Sequence, residues 1–178
     1  MATTIEKAGK TRRRALAKQK SELHDSSSIE QCVTINRGPQ ELYQFWRNFE
    51  NLPRFMEHLT SVRCLDERRS HWVVKAPLGK QVEWEAEIIN DEPGQLIAWQ
   101  SLPGADVVNA GTVRFEPAPE GRGTLVRVLI KYDPPGGMLG AATVRLSDEH
   151  PQRQVREDLE RFKQLMEAGE TESVEGES

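Results

Sequence analysis

The segment Val82-Glu83-Trp84-Glu85-Ala86-Glu87-Ile88 alternates apolar and acidic residues without a break. A period of two puts Val82, Trp84, Ala86 and Ile88 on one face of a strand and the three glutamates on the other. Ile29, Gln31, Val33 and Ile35 alternate in the same way with Glu30, Cys32 and Thr34. Further strands are predicted over residues 60–66, 71–76, 81–90, 95–101, 107–116 and 123–132. Turn signals separate them, among them Pro77-Leu78-Gly79-Lys80, Asp91-Glu92-Pro93-Gly94 and Pro117-Ala118-Pro119-Glu120-Gly121. Breaks every 8 to 14 residues with no helical pattern between them indicate an antiparallel meander. Parallel βαβ units are excluded, because each crossover needs about a dozen residues or more.

Two stretches change period. After Asn36-Arg37-Gly38-Pro39, Leu42, Phe45, Trp46 and Phe49 fall on one helical face, and Pro39 suits the first turn of that helix. Asn48, Asn51 and Pro53 end it, and a second short helical turn is expected at Pro53-Arg54-Phe55-Met56. Near the other end Val155, Leu159, Phe162 and Met166 form one apolar stripe, opposite Arg153, Arg156, Glu157, Glu160, Arg161 and Lys163. A shorter helix is expected over residues 138–146, with a break around 147–151. The expected class is therefore α+β: a seven-stranded curved antiparallel sheet, two short helices after strand 1, and a long C-terminal helix. Only that last helix is long enough to cover the sheet's single apolar face. The sheet must curl around it.

Composition separates the ends from this core. Charged residues make up 29% of the 178-residue chain and hydrophobic ones 37%, and much of the excess charge is terminal. Seven basic residues and no acidic one lie between Lys7 and Lys20; five glutamates and no basic residue lie between Glu167 and Ser178. Such segments bury too little to offset their ordering entropy. The expected organisation is a mobile basic arm over 1–27, a domain over 28–167 and a mobile acidic tail over 168–178. The arm reads either as a solvated tail, as a peripheral contact with anionic membrane or RNA, or as a partner of the acidic tail. Ala15, Leu16 and Leu23 make only a weak apolar stripe for a membrane anchor. No apolar run reaches the length of a membrane span, and no apolar stretch follows the basic N-terminus as a secretory signal requires. A cytoplasmic protein, peripheral to a membrane at most, is expected. Cys32 and Cys64 read as free thiols. A net charge of −4 argues against a nucleic-acid partner.

The order of elements is that of the helix-grip fold, and particular residues carry a resemblance. They are Phe49-Glu50-Asn51-Leu52-Pro53-Arg54-Phe55-Met56, Trp84-Glu85-Ala86-Glu87-Ile88, Ile97-Ala98-Trp99, Asn109-Ala110-Gly111-Thr112-Val113-Arg114-Phe115 and Tyr132-Asp133-Pro134-Pro135-Gly136-Gly137. With them the chain resembles the START-like (SRPBCC) superfamily, in its polyketide cyclase/dehydrase and coenzyme Q-binding branch, over about residues 28 to 166. The resemblance implies a cavity between the sheet and the last helix. Strand parity then nominates its lining: Trp72, Trp84, Trp99, Ser101, Asn109, Phe115, Val128, Ile130 and Tyr132 from the sheet, with Met138, Val155 and Leu159 from the helical end. Gly111 and Ala86 are expected to leave room there. Asn109 is expected either to orient a ligand's carbonyl or hydroxyl or to satisfy neighbouring backbone. The competing reading is that the aromatics fill a solid core.

No catalytic constellation is found. His24 lies in the arm, His71 is out of phase with Trp72, His150 sits in a polar turn, and His58 follows the short helix. Glu83, Glu85 and Glu87 face water, whereas paired acid–base carboxylates belong in a cleft. Neither a G-x-S-x-G motif, a phosphate loop nor a metal cluster is present, and no cofactor is expected. Three readings stay open. They are a binding or carrier module for a lipophilic small molecule (quinone, lipid or aromatic polyketide type), a cyclase or dehydratase working by positioning and desolvation, and a membrane- or partner-associated protein using its arm.

Overall fold

The computed structural model describes residues 9, 11–18, 27–75, 77–105, 107–132 and 150–174. Strand β1 (Ser27–Ile35) leads into helix α1 (Pro39–Arg47) and a 3-10 segment at Phe49–Arg54. Strands β2 (Leu59–Cys64), β3 (Arg69–Lys75), β4 (Gln81–Glu92), β5 (Leu96–Ser101), β6 (Asn109–Pro117) and β7 (Thr124–Tyr132) follow, and helix α2 (His150–Val174) closes the chain. Every strand pair is antiparallel, in the order β1-β7-β6-β5-β4-β3-β2. The meander thus runs from β2 to β7, and β1 joins its far edge. This is the α+β helix-grip architecture that the periodicity predicts.

Element bounds differ from expectation in three places. The second helical turn lies at Phe49–Arg54 instead of 53–56. It starts early because the Asn48 side chain accepts the Glu50 N–H at 3.3 Å and caps it. Helix α2 runs to Val174, past the end of its apolar stripe at Met166. The expected helix over 138–146 lies outside the described residues. Part of the basic arm, residues 11–18, is helical.

The inward parity of β4 through β7 follows the alternation, and register shifts at two places: between Ile88 and Asn90, where β4 meets β5, and between Leu59 and Ser61, where β2 meets β3. One face is not as wet as expected. On β5, Leu96 and Ala98 are buried although they alternate with the inward Ile97 and Trp99. Their cross-strand neighbours are longer, Glu92 and Arg114 for Leu96, Asn90 and Thr112 for Ala98, and flank them on the outer side.

The closed end of the grip is fastened by polar contacts. Asn36 N–H donates to Glu167 Oε1 at 3.0 Å, and Arg37 Nε donates to the Met166 carbonyl at 2.9 Å. Gly123 permits the turn before β7: it has φ +79, and a Cβ there would lie 2.2 Å from the Ile35 carbonyl oxygen. Helix α1 is tied to the end of β4 by Asp91, which accepts from Tyr43 Oη at 2.5 Å and from Arg47 Nε at 2.7 Å. Burial, then the hydrogen bond to Asp91, pushes the Tyr43 phenol up to about 12. It stays a donor at any physiological pH.

Candidate functional site

The candidate site is the inner face of the sheet where α2 crosses it. Register places the nominated residues in rows across the strands. Tyr132 faces Asn109, and the Asn109 N–H donates to Ser101 Oγ at 3.1 Å; Ser101 in turn faces Ala86. The next row toward the closed end holds Ile130, Gly111, Trp99 and Ile88. Beyond it lie Val128, Val113 and Ile97, then Val126 and Phe115. On the other side of the Tyr132–Ala86 row lie the pairs Trp72/Trp84 and Val74/Val82.

The two ends of this face differ. Toward the closed end the packing is solid and aromatic. Phe162 of α2 packs on Phe55 at 4.7 Å between ring centroids and edge-on against Trp46 at 5.2 Å, and Trp46 meets Phe115 at 6.4 Å. Phe49 stands edge-on to both Trp72 and Trp99, at 5.5 and 5.7 Å. Trp99, Phe115, Val128 and Leu159 are all buried there, and Trp72, on the other side of the Tyr132–Ala86 row, is buried under Phe49. The reading of these aromatics as core is right for this half. Toward the N-terminal end of α2 the apolar residues are only half-buried: Val74, Val82, Trp84, Ile130 and Val155, with Tyr132 beside them. Trp84 stacks on Trp72 at 5.9 Å and 19°, yet its Nε1 is shielded from solvent and has no hydrogen-bond partner.

Several expectations are corrected by this geometry. Gly111 leaves no room for a ligand, because the Trp99 ring already fills the space above it: a Cβ on Gly111 would lie 2.2 Å from Trp99 Cζ2. The glycine is a seat for the indole. Asn109 is buried, but its side-chain amide donates to the Val107 carbonyl at 3.3 Å, so it serves the neighbouring backbone. Met138 lies outside the described residues. Val74 and Val82, outside the nominated lining, pair at the half-buried end, and alternation along β4 predicts the inward face of Val82. Phe49 is legible in the sequence as the end of the apolar stripe that begins at Leu42, but that it wedges two tryptophans of the sheet is a contact between elements that spacing does not show.

Among the described residues, the histidines and carboxylates do not converge on this face. His71 Nε2 lies 3.2 Å from Glu83 Oε2 on the outer side, and His58 is exposed before β2. His24 and the His150 side chain lie outside the described residues. Among the described residues no group of three or more His, Cys, Asp or Glu is placed to hold a metal ion. Cys32 and Cys64 are free and exposed.

One buried carboxylate does stand near the site's rim. Asp158 on α2 is 6% exposed, accepts from the Glu57 N–H at 3.3 Å and is hydrogen-bonded by Arg161, which also donates from Nε to the Phe55 carbonyl at 3.0 Å. This latch fixes α2 against the segment before β2. Desolvation raises the Asp158 carboxyl above its ordinary value of 3.8, against the opposing hydrogen bonds from Arg161 and Glu57. The folded state therefore holds that proton more tightly than the unfolded one. Its contribution is fully present below the unfolded value and is lost as pH rises through the folded one. Asp158→Asn should remove that segment from a stability-versus-pH curve. The check is the wild-type-minus-variant difference in urea midpoint from pH 3.5 upward: it should fall with rising pH and then level off, and a flat difference contradicts the assignment.

A family profile described as "Polyketide cyclase / dehydrase and lipid transport" matches residues 35–160. The chain belongs to the polyketide cyclase/dehydrase and lipid transport family. A crystal structure of a Deinococcus radiodurans protein is 46% identical, with a TM-score of 0.68, over 80% of this chain and 98% of that one. Two further members of the fold are more distant. A Thermus thermophilus protein is 22% identical with a TM-score of 0.67, over 80% of this chain and 99% of that one. The Zhui aromatase/cyclase from Streptomyces sp. R1128 is 14% identical with a TM-score of 0.64, over 80% of this chain and 94% of that one. At those identities the likeness speaks for the fold alone. No match was found among curated proteins. Among the described residues, no helix of this family member is long and apolar enough to cross a membrane.

Proposed function

We propose that the chain binds or carries a lipophilic small molecule, of quinone, lipid or aromatic polyketide type, at the half-buried end of the inner face. The observation that carries this reading is the change along that face, from closed aromatic packing around Phe162 to the half-buried Val74, Val82, Trp84, Ile130 and Val155. Apolar walls with few polar groups suit such a ligand. Trp84 adds a flat surface and an indole N–H without a partner, which a ligand carbonyl or hydroxyl can satisfy after a small shift of the ring. The family description names both cyclisation and lipid transport. Binding is favoured over turnover because acid–base chemistry needs converging groups, whereas of the three polar residues nominated on the face, Ser101, Asn109 and Tyr132, the first two are engaged with the main chain.

The test is titration of the purified protein with a short-chain ubiquinone analogue and with a fluorescent fatty acid, read by tryptophan quenching and calorimetry. Saturable binding is expected, weakened about tenfold or more by Val155→Asp, which puts a charge on the wall. Phe115→Leu, at the closed end, should leave affinity within about threefold, a difference below 1 kcal/mol. Absence of saturable binding by either probe, together with no ligand extracted from the purified protein, defeats the reading.

A further inference from the structure

The outer face of β4 carries Glu83, Glu85 and Glu87, and the helical residues 11–18 of the basic arm reach it through Arg12. Arg12 Nη2 is 4.0 Å from Glu87 Oε2, and the Glu87 side chain is only 20% exposed. Within that helix Ala15 and Leu16 are half-buried, whereas Arg12, Arg13, Arg14, Ala17 and Lys18 are exposed. Further along β4 a concavity of about 450 Å³ is walled in part by Glu83, Glu85 and His71. It offers carboxylates to further cations of the arm.

We propose that the acidic row of β4 is a docking surface for a cationic helix, occupied in cis by residues 11–18, and that an anionic lipid surface competes for the same arm. Chain length allows the cis arrangement. Nine peptide steps join Lys18 to Ser27, a reach of about 30 Å when extended. Ser27 pairs with Tyr132 in the row that leads through Asn109 and Ser101 to Ala86, the neighbour of Glu87. That is four strand spacings, roughly 20 Å. The arm thus enters the sheet level with the residue it reaches.

The hold is weak by construction. An exposed ion pair contributes about 0–1 kcal/mol. Glu87 also faces Arg69 across β3 and accepts from Gln100 Nε2 at 3.4 Å, and Glu83 is shared with His71. An anionic bilayer attracts each nearby Lys or Arg by about 1 kcal/mol, and the arm has seven between Lys7 and Lys20. Bilayer is favoured as the competitor because a lipophilic ligand must be collected from or delivered to membrane, a step that rests on the proposed function. Docking itself does not depend on it.

A spin label on Ala17→Cys, in a Cys32→Ser/Cys64→Ser background, tests the docking by NMR. Amides of residues 83–87 and 100 should broaden at low salt, and most of that broadening should vanish at 0.5 M salt and in the Glu83→Gln/Glu85→Gln/Glu87→Gln variant. Unchanged broadening in the variant, or none at low salt, overturns the docking. Broadening seen only when labelled and unlabelled chains are mixed assigns the surface to a second copy and overturns the cis arrangement. Sedimentation with phosphatidylserine vesicles tests the competition: the triple variant should bind at least about threefold more tightly than wild type, and Arg12→Gln/Arg13→Gln/Arg14→Gln should bind far less. Equal binding by all three overturns it. Failure of quinone and fatty-acid binding with the docking intact would remove only the reason for choosing a bilayer.

Discussion

Phe162→Ala lowers the unfolding free energy by about 3–5 kcal/mol, the largest expected effect in the chain. Phe162 is fully buried and meets Phe45, Phe55 and Trp46 at 5.9, 4.7 and 5.2 Å. It is the only aromatic residue on the apolar stripe of α2, so its loss opens a cavity between the helix and both α1 and the 3-10 segment. Ring pairs of this kind contribute about 0.5–1.5 kcal/mol each beyond their burial. Phe162→Leu keeps most of the volume and should cost about 1–1.5 kcal/mol. Urea unfolding followed by both circular dichroism and tryptophan fluorescence measures the pair. A loss below about 1 kcal/mol for the alanine variant would mean that α2 is not anchored here.

The second large effect is expected at a residue without a side chain. Gly111→Ala places a Cβ 2.2 Å from Trp99 Cζ2 and 2.4 Å from Cε2, far inside contact distance. The obstacle is a rigid ring, and that ring is itself held by Trp72 at 6.1 Å and Phe49 at 5.7 Å. It cannot swing aside without unstacking its neighbours. The loss should fall at the upper end of overpacking, about 2–3 kcal/mol, with a change in tryptophan emission. The double-mutant cycle with Trp99→Leu isolates the cause, since Gly111→Ala should be much milder once the indole is gone. Additive losses would show that the glycine matters for some other reason.

These two residues mark how far the sequence can be read. Phe162 is legible from spacing: an i, i+4, i+7 stripe ending a chain of alternating strands names both the helix and the face it buries. Gly111 is not, because nothing local says which neighbouring strand lays a ring across it. The parity of Val82 through Ile88 was correct for the same reason as the stripe, since side-chain direction in a strand follows from backbone geometry alone. Inward parity does not distinguish residues that are closed over from those that stay half-buried. Trp72 and Trp99 share the inward face with Trp84 and Ile130, yet Phe49, from another element, closes on the first two.

The arm gives the same lesson from the charged side. Its seven cations and the three outward glutamates are plain in the sequence, but their meeting depends on β1 pairing with β7 and so bringing the arm's root level with Ala86.

The element order, the antiparallel meander, the inward face of β4 and the stripe by which α2 is gripped can be read from the chain alone, because these depend on short-range periodicity and turn chemistry. Tertiary structure alone decided which part of the inward face is solid and which half-open, that Gly111 is a seat for Trp99, that Asn109 serves the main chain, and that Asp158 is desolvated beside Arg161. Each of these depends on where side chains distant in the chain come to rest, and no local pattern encodes that.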